Sequence, residues 1–341
     1  MVIENGSIVA SYLRDDVDPE EPARVYSATK SWISFLFGTL VDDGLLSLDE
    51  TLGDIFPEDD AWADVSDGST DFRKGATVKE LLTMTTGFVD PNLVWTNEWL
   101  HGRAGVDDMP PGLPGGDSLQ ASLAVPKIGA KGQFHYLQTS QIPSYIIMKR
   151  TGMTPRQYQA ERVTEKLGIG EDEYDWEQIG GVENAYGGLY LTPMQMAKFG
   201  QLYLQGGQTS PSNDDRVISQ EWIDASFTEH TTTNDPLYLN VGGKVEPYGY
   251  LWYQFPSKPT VAKAEGSGGN YICVDRDLGR VVIQQRLAPM DADGNPVSGK
   301  AAQEANAGRD EVLNFVVEGN LSFHATNAGL TGMSSESVES E

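Results

Sequence analysis

Ser27 and Lys30 are the residues whose types and spacing point most directly to chemistry. They stand in Ser27-Ala28-Thr29-Lys30, directly before an apolar run of helical length at 32–40. Residues three apart on a helix share a face, so Lys30 can reach the Ser27 hydroxyl. A neutral lysine can take that proton, and burial together with the positive helix end disfavours the charged ammonium. Free N–H groups at the same helix end can stabilise an oxyanion. The spacing predicts an activated serine, although a Ser-x-x-Lys string also occurs by chance in unrelated proteins.

Composition excludes several other classes of function. The chain has 341 residues with 50 acidic and 24 basic side chains, which gives a net charge of -26. Such a charge repels nucleic acid and anionic membranes, so neither is expected as a partner. No stretch approaches the ~18 apolar residues of a transmembrane helix. The N-terminal residues show no basic region followed by an apolar core, so no export signal is expected. The sequence as written predicts a cytoplasmic protein with a small-molecule substrate and an undetermined oligomeric state.

Competing catalytic arrangements find little support in the residues. His135 precedes Tyr136, but the chain has only 4 histidines and no Gly-x-Ser-x-Gly, which disfavours a Ser-His-Asp triad on an α/β-hydrolase fold. There is no His-Glu-x-x-His and no Cys/His cluster, so neither a metal nor any other cofactor is expected. The single cysteine, Cys273, lies in an apolar run typical of a buried strand.

Turn and capping signals divide the chain into strands, a helical block and further strands. Asn5-Gly6 predicts a β-hairpin at the N-terminus. Helix starts are expected at capping residues, and the helix that starts at Thr77 is expected to end at Gly87. A long loop is expected over 88–118. Later β-rich runs are followed by an amphipathic stretch typical of a helix. The expected capping residues are Thr77, Thr154, Thr192 and Ser219. The β-rich runs are 248–253, 271–276 and 279–284, and the amphipathic stretch is 301–318.

Strands at both ends of the chain most simply pair in one antiparallel sheet. The predicted fold is therefore of the α/β (α+β) class, an antiparallel sheet flanked by helices with an inserted, mainly helical lobe. The sheet lobe is expected to be discontinuous, over 1–45 and 245–320, and the helical lobe to span 46–244. Residues 321–341 form a tail whose Ser/Glu-rich end is expected to be disordered.

Several stretches taken together resemble the serine β-lactamase and penicillin-binding protein superfamily. Within it, the chain is most similar to class C β-lactamase-like esterases and 6-aminohexanoate-dimer hydrolases. The likeness covers about residues 1–318 and implies a β-lactamase/transpeptidase-like fold. The stretches that carry it are Tyr26-Ser27-Ala28-Thr29-Lys30-Ser31, Asp43-Gly44-Leu45-Leu46-Ser47-Leu48-Asp49-Glu50, Leu81-Leu82-Thr83-Met84-Thr85-Thr86-Gly87, Gly132-Gln133-Phe134-His135-Tyr136, Gly187-Gly188-Leu189-Tyr190-Leu191-Thr192 and Ala197-Lys198-Phe199-Gly200.

The resemblance assigns expected roles at the site. Ser27 matches the acylated serine, Lys30 the lysine that activates it, and Tyr136 the tyrosine that passes the proton to the leaving group. The family's strand motif aligns with Ala264-Glu265-Gly266. This alignment implies an oxyanion hole made by the backbone N–H groups of Ser27 and Ser267. Substrate contacts are expected from Gln138, Glu265, Gly266 and Asn270.

Two departures from the family pattern bear on the substrate. Gln138 replaces an asparagine, and Ala264 stands where β-lactamases have the lysine that helps to bind a substrate carboxylate. Glu265 is expected to repel such a group. These features favour a serine hydrolase that acts on esters or amides through an acyl-enzyme. The alternatives are a β-lactamase or D,D-peptidase, and a catalytically weak binding or sensory protein on the same fold.

Overall fold

A computed structural model describes residues 1–15, 17–65, 68–88, 119–124, 130–136, 141–210, 215–236, 239 and 244–286. The predictions at 301–318, the loop at 88–118, the tail 321–341 and Gln138 lie wholly or mostly outside these residues. Among the described helices, none combines the length and apolar character needed to cross a bilayer.

The main sheet joins the two ends of the described chain, as the sequence predicts. Its order within the described residues is β2-β1-β13-β12-β11-β10-β9-β8, with every neighbouring pair antiparallel. The strands are β1 Val2–Glu4, β2 Ser7–Ala10, β8 Thr231–Thr232, β9 Pro247–Tyr248, β10 Tyr253–Phe255, β11 Lys258–Gly266, β12 Asn270–Asp275 and β13 Arg280–Gln284. Asn5 and Gly6 both have positive φ, as a tight hairpin turn requires. Cys273 is buried on β12.

A small second sheet lies beside the Ser27 turn and was not predicted. Its order is β3-β7-β4, and a further hairpin pairs β5 with β6. These short strands are β3 Ala23–Arg24, β4 Asp175–Trp176, β5 Gln178–Ile179, β6 Val182–Glu183 and β7 Leu189–Leu191. Strands of two or three residues are too short to show an alternation of apolar and polar side chains, so sequence periodicity does not reveal them.

The first long helix is the centre of the core. Helix α1 spans Thr29–Asp42, and its buried residues run without interruption from Thr29 to Leu40. Burial on every side places this helix inside the core, where each large apolar side chain contributes about 1.5–3 kcal/mol. The Trp32 ring stacks on Phe199 with centroids 4.1 Å apart. This packing fixes the start of α1, where Ser27 and Lys30 lie.

Four of the other described helices begin at the predicted capping residues. The side chains of Thr77, Thr154, Thr192 and Ser219 each accept a backbone N–H bond at the start of a helix. The helices are α2 Leu52–Ile55, α3 Thr70–Lys74, α4 Val78–Leu82, α5 Leu119–Leu123, α6 Ile142–Thr151, α7 Pro155–Gln159, α8 Pro193–Leu204 and α9 Gln220–Ser226. Short 3₁₀ turns lie at Tyr26–Ala28, Asp59–Trp62 and Glu165–Leu167, and a π turn at Ala160–Thr164.

Helix α8 packs closely on the sheet at Gly200. A methyl group at Gly200 would lie 2.6 Å from Val281 Cγ1 and 3.0 Å from Ile272 Cγ2. Both partners are buried strand side chains, so even alanine would force the helix off the sheet. The close approach holds α8 against β12 and β13.

Two predicted boundaries are wrong. The expected strand over 248–253 is interrupted, because Leu251 has a φ of 60° and its N–H bonds to Leu82 O at 3.0 Å instead of to a strand. Helix α4 ends at Leu82, before the expected Gly87, since Met84 also has a positive φ of 54°. Both breaks are tertiary, because the chain bends to meet neighbouring segments. The predicted two-lobe division stays a prediction.

Candidate active site

Ser27 lies on a tight 3₁₀ turn between β3 and α1. Tyr26, directly before it, has a φ of 50°, a left-handed conformation that costs a bulky residue about 1–3 kcal/mol. Thr29 Oγ1 holds the turn by donating to Tyr26 O at 2.6 Å and accepting from Leu189 N at 3.2 Å. The half-buried Ser27 side chain is therefore presented from a strained, rigid corner.

Lys30 is buried directly behind Ser27. Its Nζ lies 3.0 Å from Ser27 Oγ and donates to Tyr186 O at 2.8 Å. The side chain carries no carboxylate partner among the described residues, and burial lowers the pKa of Lys30 to about 7. An amine that is partly neutral near pH 7 can accept the proton of the serine hydroxyl.

Tyr136 is the third side chain of the candidate site, next to Ser27 and Lys30. The Lys30 Nζ lies 5.0 Å from the centre of the Tyr136 ring, and the Tyr136 phenol hydrogen-bonds with Ser27. Burial raises the pKa of Tyr136 to about 12, Glu265 adds to the rise, and hydrogen bonds with Ser27 and Tyr253 oppose it. The phenol thus keeps its proton at neutral pH and can pass it on by hydrogen bonding.

The end of β11 approaches the backbone of the Ser27 turn. A methyl group at Gly266 would lie only 2.0 Å from Val25 O, so glycine alone fits at this contact. Ser267 is exposed in the turn that follows. Strand β11 therefore brings the Gly266–Ser267 peptide to the side of the site where the second oxyanion N–H is expected.

The substrate contact expected of Asn270 stays a prediction, and the structure shows bonds from its side chain within the protein. Asn270 is fully buried, its Nδ2 donates to Ser267 O at 2.8 Å and its Oδ1 accepts from Arg286 N at 3.0 Å. Its amide is engaged at both ends within the protein. Asn270 braces the turn that carries Ser267.

Glu265 is not an isolated acid beside the site. Its carboxylate lies 2.9 Å from Lys263 Nζ, and Glu246 lies 3.0 Å from the same ammonium. Burial opposes the charge on Lys263, but the two carboxylates outweigh it and raise the pKa of Lys263. Burial also raises the pKa of Glu246. Two acids thus share one cation within this cluster.

Sequence reasoning missed Lys263, Tyr253 and the carbonyl of Tyr186. Lys263 and Glu265 are two apart on β11, so the alternation of a strand could have placed them on one face. Tyr253 and the Tyr186 carbonyl left no signal in the sequence, because only tertiary contacts bring Tyr253 to Tyr136 and the carbonyl to Lys30. The structure brings together Ser27, Lys30 and Tyr136 and places Gly266 against the same turn.

A serine and a lysine on one turn at the start of a buried helix, beside an antiparallel sheet, define a β-lactamase/transpeptidase-like protein. The chain belongs to the beta-lactamase family, whose model matches residues 1–297.

The chain also resembles individual proteins of different names. It is 24% identical over 233 residues to the 6-aminohexanoate-dimer hydrolase of Paenarthrobacter ureafaciens, covering 66% of this chain and 55% of that protein. The chain thus spans about half the length of this curated relative. A family VIII carboxylesterase superposes with a TM-score of 0.58 at 18% identity, covering 86% of this chain and 84% of the other. A penicillin-binding protein homologue from Caulobacter crescentus gives a TM-score of 0.58 at 16% identity, with 86% and 84% covered. Such identities establish the fold alone.

Proposed function

We propose that the chain is a serine hydrolase that cleaves carboxylic esters or amides through an acyl-enzyme. The observation that carries this proposal is the buried Lys30 amine, 3.0 Å from Ser27 Oγ and with a pKa lowered to about 7. An ordinary lysine would be fully charged at neutral pH and could not act as a base. Burial without a countercharge has no evident structural benefit here, whereas catalysis requires it.

The proposed reaction has two halves. Ser27 Oγ attacks the substrate carbonyl carbon, and the hydroxyl proton passes to Lys30 Nζ. The N–H groups of Ser27 and Ser267 hold the resulting oxyanion. As the carbon–heteroatom bond breaks, the proton returns through the Tyr136 phenol to the alcohol or amine that leaves. Water then attacks the acyl-Ser27 ester, with the same two groups moving its proton, and releases the acid.

The charge near Glu265 favours some substrates over others. Ala264 offers no cation for a substrate carboxylate, and the Glu246–Lys263–Glu265 cluster contains two acids and one base. We therefore propose neutral esters, or amides with an uncharged or cationic group, as the preferred substrates. Penicillins, cephalosporins and D-Ala-D-Ala peptides all carry a carboxylate and are disfavoured. The pairing with Lys263 makes this repulsion weaker than a lone glutamate would produce.

The proposed activity is tested by intact mass after incubation with a fluorophosphonate, beside hydrolysis of a short-chain p-nitrophenyl ester. A single adduct on Ser27 together with steady turnover supports the hydrolase. An adduct without turnover would instead support the binding or sensory protein. No adduct at all would contradict an activated Ser27.

The pH dependence of acylation is the first specific prediction. The rate should rise with pH through an apparent pKa near 7, because Lys30 must lose its proton to act as a base. Pre-steady-state acylation by a p-nitrophenyl ester between pH 5.5 and 9 measures it. The value belongs to the coupled Lys30–Tyr136 pair. A flat profile, with acylation shown to limit the rate, would contradict a lysine base.

The second prediction concerns charge selectivity. The unmodified protein should hydrolyse p-nitrophenyl butyrate with a higher kcat/KM than the carboxylate-bearing nitrocefin. Glu265→Lys should move this ratio toward nitrocefin by about tenfold or more, because one local charge changes sign. Added salt should narrow the starting gap by screening.

Glu221→Lys is the matched control for this experiment. Glu221 is an exposed acid on α9, so its replacement changes the net charge equally without altering the site. The ratio should stay within about twofold. A preference of the unmodified protein for nitrocefin, or equal effects of the two variants, would overturn the proposed selectivity.

A further inference from the structure

The acceptor that fixes Lys30 is a backbone carbonyl from a distant part of the chain. Lys30 Nζ donates to Tyr186 O at 2.8 Å, and the two residues are 156 positions apart. The lysine side chain is a flexible four-carbon stem, so this carbonyl helps to hold Nζ next to Ser27. The segment 184–188 is thus as important for the geometry of Lys30 as its own helix.

Arg24 connects that segment to the nucleophile turn. It ends β3, three residues before Ser27, and its Nε donates to Gly187 O at 2.8 Å. The same guanidinium lies 5.3 Å from the ring centre of the strained Tyr26. One side chain therefore contacts both the residue before the nucleophile and the residue after Tyr186.

Glu177 and Asn184 extend the contact to the other side of Tyr186. Glu177 Oε2 accepts from Arg24 Nη2 at 2.8 Å and from Asn184 Nδ2 at 3.1 Å. Asn184 Oδ1 in turn accepts from Tyr186 N at 3.1 Å. The peptide groups on both sides of the Tyr186 carbonyl are held by one network.

The packing around this network leaves little room for adjustment. Asn184 is fully buried. A methyl group at Gly188 would lie 2.5 Å from Asn184 Cβ and 3.1 Å from Glu177 O. The forked guanidinium suits the task because it donates in two fixed directions at once, to a carbonyl and to a carboxylate.

We infer that Arg24, acting with Glu177 and Asn184, is a positioning residue that holds Tyr186 O against Lys30 and so keeps Lys30 next to Ser27. The inference rests on the proposed function, because it assigns Arg24 a role in the Ser27–Lys30 reaction. Arg24 itself touches neither the amine nor the nucleophile through any contact described above. Its effect passes through the Tyr26 turn and the 184–188 segment.

The chain offers a closely matched control in Arg156. Its guanidinium also pairs with a carboxylate, Asp175 at 3.1 Å, and donates to the carbonyls of Glu171 at 2.8 Å and Tyr174 at 3.1 Å. It also lies over an aromatic ring, 4.9 Å from the Tyr174 centroid. Arg156→Met removes the same kinds of contact as Arg24→Met without touching the Ser27 turn.

The test measures acylation per active site and the protonation of Lys30. Sites are counted with a fluorophosphonate, acylation by a p-nitrophenyl ester is followed at pH 7, and the pKa of Lys30 is read by NMR of ¹³Cε-labelled lysine. Arg24→Met should slow acylation about tenfold or more per site with KM nearly unchanged, because the amine is no longer held in place. It should also raise the pKa of Lys30 by about half a unit or more, since water then relieves the burial that lowers it.

Other variants keep the inference open to contradiction. Arg24→Lys keeps the charge but not the fork, and should recover only part of the rate. If Arg24→Met fails to fold, Glu177→Gln, which keeps the shape of the side chain, should slow acylation in the same direction. Arg156→Met should stay within about twofold in rate. Equal effects of Arg24→Met and Arg156→Met on both readouts would overturn the inference. An unmodified protein that is not acylated would overturn the proposed function, while the NMR comparison would still decide the role of Arg24.

Discussion

Replacing Ser27 by alanine is expected to abolish ester hydrolysis, with a fall in kcat of at least about 10⁴-fold. The hydroxyl forms the covalent bond to the acyl group in the proposed mechanism, so no neighbouring atom replaces it. The half-buried side chain contributes little to the core, and the folded state should be retained. The measurement is p-nitrophenyl butyrate turnover, beside intact mass after fluorophosphonate treatment and the thermal midpoint.

Ser31→Ala, at the start of the helix that follows Ser27, is the matched control. Ser31 Oγ donates to Leu251 O at 2.7 Å within the core, a structural contact. Its loss should cost about 1 kcal/mol of stability and leave kcat within about threefold. Turnover that survives in Ser27→Ala, or an adduct on another residue, would show that the nucleophile has been misassigned.

Lys30→Met is expected to lower the acylation rate by about 10²–10⁴-fold, the usual contribution of a general base. Methionine matches the apolar stem of lysine and fills the same space, so the Ser27 turn should persist. The pH dependence of the residual rate near pH 7 should disappear together with the amine. Acylation measured from pH 5.5 to 9 in both proteins decides this.

Stability provides an independent check on the same variant. The folded-state pKa of Lys30 lies below its unfolded value, so the unfolded chain binds more protons between about pH 7 and 10.4 and the native state gains stability as pH rises through this window. Lys30→Met lacks this group and should be the more stable protein at neutral pH, by an amount that shrinks as pH rises. Lys198→Met removes an exposed hydrogen bond to Gly168 O, and it should change neither the acylation rate nor the stability. A Lys30→Met protein that is less stable than the parent at pH 7 would contradict a buried, uncompensated amine.

The sequence by itself determined the elements that depend on neighbouring residues. The Asn5-Gly6 turn and the pairing of the first strands with the last described strand follow from local backbone chemistry and hydrophobic pattern. The same holds for the capping residues Thr77, Thr154, Thr192 and Ser219. Ser27 and Lys30 were identifiable for the same reason. Their spacing is a local property of one helical turn, and the later contact at 3.0 Å is what that spacing allows.

Only the tertiary structure determined the electrostatic environment of the candidate site. A lysine becomes a base or an ion-pair partner according to which distant groups surround it. Lys30 meets a carbonyl from residue 186 and no described carboxylate, so burial lowers its pKa, whereas Lys263 meets Glu246 and Glu265 and its pKa is raised. The Arg24 network also depends on tertiary contacts, because it joins segments more than 150 positions apart in the sequence. Apart from Lys263 and Glu265, which lie two apart on β11, residue types and spacing along the chain do not indicate such contacts, because burial and charge pairing arise only when the chain is folded.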